Sequence, residues 1–138
     1  MAKLYMKNTD ALVIEWIELA NQDLMAVKLL VESNTNSPNA ICYLCQLSAE
    51  KLLKAWLIKL GFEINKELKS HDLLKLLTVI DNKNSVSHDL FLWCSDLQDI
   101  AREPRYPSFY GRQNMLEAKE SFELLSKIHS YILPILQP

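Results

Sequence analysis

Apolar residues recur every three or four positions along most of this chain, and that period commits it to amphipathic helices. Val13, Trp16, Ala20, Leu24, Val27 and Val31 line one helical face, while Glu15, Glu18 and Gln22 fall on another. A β-sheet protein would need period-two alternation and many tight turns. Only two glycines, Gly61 and Gly111, occur in 138 residues, so the residue that makes such turns easily is scarce. Few, long elements follow from this.

Punctuation residues divide the pattern. Thr9 or Asp10 is expected to cap a first helix that stops in Ser33-Asn34-Thr35-Asn36, where the side chains compete with helical hydrogen bonding. Ser37-Pro38 starts a second helix, which runs to about Leu60 with Gly61 as its left-handed stop. Ile41, Leu44, Cys45, Leu52, Ala55 and Trp56 give it a wide apolar surface, crossed by one narrow polar row, Gln46, Glu50 and Lys54. Such a helix belongs at the centre of a bundle. Ser70 is expected to open a third helix that ends in Asp81-Asn82-Lys83-Asn84. Ser85 or Ser87 caps a fourth, striped by Leu90, Trp93, Leu97 and Ile100, and Pro104 prevents its normal continuation past Glu103. A loop spans Pro104 to Gly111. Asn114 with Glu117 has the form of a capping box for the last helix, and Pro134 marks that helix's expected end. Residues 1–138 are expected to form one domain, an all-α, up-and-down antiparallel bundle of four to five helices.

Composition excludes several functions. A net charge of −2 does not suit a general nucleic-acid coat, which needs a broad basic surface, but it allows a small basic site. The apolar stretch Ala11–Ala20 is broken by Glu15 and Glu18, so no membrane span is expected, and Met1–Asp10 has no signal-peptide pattern. Three cysteines, an odd number, read as reduced thiols of a cytoplasmic protein. Cys42-x-x-Cys45 lies inside a helix and no second pair exists, so these read as small buried residues, with no cofactor expected. Asp96, Asp99 and Glu103 share a face that is either a solvated row or a divalent-ion site; the solvated row is favoured. His129 falls in an apolar stripe and reads as a packed histidine.

The arginines carry more information. Twelve lysines are spread from Lys3 to Lys127, but all three arginines, Arg102, Arg105 and Arg112, fall in one short segment, interleaved with Tyr106, Phe109 and Tyr110. Arginine's planar fork binds phosphate bidentately and stacks on rings. The segment is therefore either a phosphate- or base-recognition loop or a structural corner tied by ion pairs to Asp96, Asp99 or Glu103. His71, in Ser70-His71-Asp72-Leu73, is either part of a cap or a functional imidazole.

The chain resembles the HEPN domain family, of the small stand-alone prokaryotic type. The residues that carry the resemblance are Trp16…Ala20-Asn21-Gln22-Asp23-Leu24…Ala26, Cys42…Gln46…Ala49-Glu50-Lys51…Lys54-Ala55, Gly61, His71-Asp72-Leu73…Leu76-Leu77 and Arg105-Tyr106-Pro107. The resemblance implies a helical homodimer, and a minimal nucleotidyltransferase as partner in a toxin–antitoxin-like pair. Many relatives are ribonucleases with an arginine and a histidine separated by four to six residues. Here no histidine follows Arg102, Arg105 or Arg112 at that spacing; the next is His129. The Arg-Tyr-Pro variant implies a non-catalytic module for a nucleotide or nucleic-acid phosphate, with Arg105, Tyr106, His71, Lys54 and Arg102 as ligand-binding residues. The alternatives are a ribonuclease with an altered site, Arg105 as cation and His71 as base, and a purely structural partner protein.

Overall fold

The computed structural model describes residues 2–101 and 113–137. They form five helices: α1 (Ala2–Glu32), α2 (Pro38–Lys59), α3 (Leu73–Lys83), α4 (His88–Ile100) and α5 (Met115–Leu136). No strand occurs among the described residues, and the helices make the expected bundle. Arg102, Arg105, Tyr106 and Arg112 lie outside the described residues, as do Glu103, Pro104, Pro107, Phe109, Tyr110 and Gly111.

Most helix ends follow from their local chemistry. Asn34 adopts φ 55 just past α1, a left-handed geometry that asparagine tolerates. Gly61 follows α2 with φ 97, and its N–H reaches Ile58 while Phe62 N–H reaches Leu57, the paired bonds of a Schellman stop. Ser87 accepts from Leu90 N–H to open α4. Asn114 and Glu117 close the full capping box.

Three ends differ from expectation. α1 starts at Ala2 and runs through Thr9 and Asp10 without a cap there. Their weak helix propensity costs only about 0.5 kcal/mol each, too little to break a long helix. α3 starts at Leu73, capped by Asp72 and not by Ser70; Asp72 Oδ1 accepts from Leu74 and Lys75 N–H. Ser70 Oγ accepts from Asp72 N–H instead and shapes the approach. α5 passes Pro134 and ends at Leu136. Ser130 and Pro134 are both exposed, so solvent can replace the N–H that proline lacks.

The core is organised around α2, which buries thirteen of its 22 residues, Trp56, Leu52, Leu53 and Leu57 among them. α1 and α2 run antiparallel, Trp16 lying against Lys54 and Ala20 against Ser48. α4 and α5 are antiparallel too, since Ser87 meets Tyr131 and Ile100 meets Gln113. α2 and α5 run parallel: Cys42 pairs with Ser121, Ser48 with His129, and Lys59 with Leu136. The long connection 60–72 makes this possible. It turns at Asn65, whose Oδ1 accepts from Glu67 and Leu68 N–H, buries Leu68, and returns along α2 to deliver residue 71 beside the middle of that helix.

Candidate functional site

The polar row of α2 is the foundation of the site. Gln46, Glu50 and Lys54 are four residues apart, so they stack along one helix face. Surrounding elements cover that face: Glu50 and Lys54 are each only 5% exposed. Lys54 Nζ donates to Glu50 Oε2 at 2.9 Å and lies 5.8 Å from the centre of the Trp16 ring on α1. An ammonium taken out of water needs such partners, a carboxylate and the negative face of an aromatic ring.

His71 completes the cluster from the connection before α3. Its Nδ1 is 2.8 Å from Glu50 Oε1. Its carbonyl accepts from Gln46 Nε2 at 2.9 Å. The imidazole itself is 82% exposed. One end of α4 braces the same place. Gln98 Oε1 accepts from Leu73 N–H, and Gln98 Nε2 donates to Asp72 Oδ1 at 3.0 Å. The result is an exposed imidazole on a fixed backbone, backed by a buried Glu–Lys pair.

Of the residues expected to bind a ligand, the fold brings His71 and Lys54 together through Glu50. Lys54 sits behind Glu50 with its ammonium engaged there, not at the surface. Arg102, Arg105 and Tyr106 lie outside the described residues, and the flanks of their segment can be placed. α4 ends at Ile100, less than one turn beyond Gln98, and Gln113 Nε2 donates to the Ile100 carbonyl at 3.0 Å. Ile100 and Gln113, on either side of segment 102–112, are therefore held together at the end of α4 that braces Asp72 and Leu73.

Glu50 is the functional-type residue that sequence reasoning left out of the site. The signal was present: a glutamate and a lysine stand four apart inside an otherwise apolar helix. A surface row has the same spacing, so spacing alone did not separate the two.

The other titratable candidates are structural. Ser48 Oγ donates to the Ala20 carbonyl at 2.8 Å, so its one proton is used. His129 Nε2 therefore donates to Ser48 Oγ at 2.9 Å, and Nδ1 carries the lone pair, buried and without a partner. Burial holds the His129 pKa down to about 4. Cys42, Cys45 and Cys94 are buried thiols outside any disulfide, and burial pushes the Cys45 and Cys94 thiols upward. Asp96 and Asp99 are exposed on α4, and no group of three metal-ligating side chains occurs among the described residues. No helix described is long and apolar enough to cross a membrane.

Comparison with known proteins agrees with the fold. The sequence model of the HEPN domain matches residues 13–135. No curated protein matches significantly. Among solved structures, TT1696 from Thermus thermophilus is similar with TM-score 0.70 and 23% identity, over 87% of this chain and 94% of that one. ST0689, described as an archaeal HEPN homologue, is similar with TM-score 0.69 and 21% identity, over 91% and 98% of the two chains.

Proposed function

The chain belongs to the HEPN domain family, and from that premise we propose that it is a non-catalytic HEPN module that binds a nucleotide or nucleic-acid phosphate. The observation that carries this reading is the exposed His71 imidazole, fixed on Glu50 beside the end of α4 where the arginine-bearing segment begins. In this reading Arg105 grips phosphate with its planar fork, Tyr106 stacks or hydrogen-bonds, and Arg102 adds charge. His71 contacts the ligand, and Lys54 supports it from behind Glu50. No cofactor is needed for binding.

The module acts in a pair with a minimal nucleotidyltransferase, in a toxin–antitoxin-like arrangement in the cytoplasm. It is a homodimer in this reading, and one surface feature supports that. Met25 and Leu29 on α1 and Tyr43 on α2 are 71%, 68% and 57% exposed, apolar area that a second copy would cover.

One observation favours a second reading, a ribonuclease with an altered site. A histidine oriented by a carboxylate is the arrangement of a general base. A single experiment separates the two. A fluorescent 5′-phosphorylated RNA oligonucleotide is titrated with the purified protein and then checked for cleavage. Binding without cleavage is expected. Replacing Arg105 with alanine is expected to weaken binding by about 1.5–3 kcal/mol, the worth of hydrogen bonds to a charged group. Helical content stays unchanged, and lysine at the position does not restore full affinity. Wild-type protein that binds no oligonucleotide or nucleotide refutes the reading. Cleavage that Arg105→Ala and His71→Ala each abolish establishes the ribonuclease.

A further inference from the structure

We propose that Glu50 is the positioning residue of this site: it holds His71 with Nδ1–H inward and Nε2 outward as a hydrogen-bond acceptor, so the ligand group seated on His71 is a hydroxyl donor and not the phosphate. This inference rests on the nucleotide-binding reading above.

The donors and acceptors around the ring fix where its hydrogens lie. A carboxylate only accepts. Glu50 Oε2 takes a proton of Lys54 at 2.9 Å, and Oε1 faces His71 Nδ1 at 2.8 Å. A lone pair on Nδ1 would meet the lone pairs of Oε1, so Nδ1 carries hydrogen and donates. In a neutral imidazole Nε2 is then the acceptor. The ring is 82% exposed, and Gln46 holds the His71 carbonyl while Gln98 holds the next two residues. The direction of Nε2 is therefore set before any ligand arrives.

The charges around the ring lead to the same assignment. Glu50 and Lys54 on α2 neutralise each other, and Asp72 Oδ1 accepts from the first turn of α3 and from Gln98. α4 presents the uncharged Gln98, and α1 presents the Trp16 ring to Lys54. No unpaired cation among these residues faces outward to attract phosphate. A nucleotide carries, next to its phosphate, ribose hydroxyls that can donate to Nε2. The 2′-hydroxyl is the one a deoxyribonucleotide lacks, and it is the group by which proteins tell RNA from DNA.

The test compares 5′-phosphorylated oligoribonucleotide and oligodeoxyribonucleotide of one sequence, by fluorescence anisotropy. Wild type is expected to prefer the ribo form by about tenfold, the upper range for one neutral hydrogen bond. Glu50→Gln is expected to erase that preference, because the amide can donate to Nδ1 and turn a hydrogen outward on Nε2. His71→Ala is expected to erase it likewise. The double variant Glu50→Gln/Lys54→Met removes both buried charges together and guards against misfolding. Nitrogen-15 spectra of wild type should show His71 in the Nδ1–H form. Binding of both oligonucleotides with equal affinity overturns the inference and leaves the nucleotide-binding reading standing. Retained preference in a folded Glu50→Gln protein overturns the role of Glu50. Absence of binding to either oligonucleotide removes the reading on which both depend.

Discussion

Replacing Lys54 with methionine tests whether the buried pair behind His71 is as desolvated as its geometry says. Methionine keeps an unbranched stem against Trp16 and removes only the ammonium. The Lys54 and Glu50 side chains are each 6% exposed, so the change leaves a carboxylate with one remaining partner, His71 at 2.8 Å. Breaking a buried pair by removing one member costs about 3–5 kcal/mol. His71 is largely solvated and stays on Oε1, which places the expected loss near the lower end, about 3 kcal/mol. For a domain of this size that corresponds to a fall of about 10 °C in Tm. Urea unfolding followed by tryptophan fluorescence, at one fixed protomer concentration, measures it. The companion variant Glu50→Gln/Lys54→Met removes both charges and is expected to lie within about 1 kcal/mol of wild type. A single variant as stable as wild type would refute the reasoning, because it would mean the carboxylate is solvated and needs no counter-ion.

The buried His129 predicts an acid-sensitive core. Its folded pKa of about 4 lies below the ordinary histidine value of 6.5, so the unfolded chain takes up the proton first as pH falls. The stability is fully present above pH 6.5, and about 3 kcal/mol is lost on descending to pH 4. His129→Gln is expected to flatten that slope relative to wild type, and equal slopes in the two proteins would count against it. The exposed apolar side chains of α1 and α2 predict a second outcome. Leu29→Glu should convert a dimer to a 16.0 kDa monomer in light scattering at micromolar concentration, and a wild-type protein that is already monomeric there refutes the dimer.

The local elements of this protein were legible in its sequence because their causes are local. Helical periodicity places the apolar stripes, Gly61 supplies the left-handed stop of α2, Ser87 caps α4, and Asn114 with Glu117 closes a capping box across one turn. Each of these depends on residues within a few positions of one another. Two of the ends that went otherwise were decided by weak preferences, at Thr9, Asp10 and Ser70, which a cooperative helix or a better cap overrides, while the third passes Pro134 on an exposed turn where solvent replaces the missing N–H. The site was legible only in pieces. His71 and Lys54 stood out by type, and Gln46, Glu50 and Lys54 by spacing, yet the same spacing describes a solvated surface row. What the tertiary structure alone decided is the path of residues 60–72. Burying Leu68 and packing Phe62 and Ile64 draws the connection back along α2, carrying His71 onto a carboxylate 21 positions earlier in the chain. That same path leaves α5 free to lie parallel to α2. No local rule contains it, because burial of apolar surface is summed over the whole packed molecule and takes no account of distance along the chain.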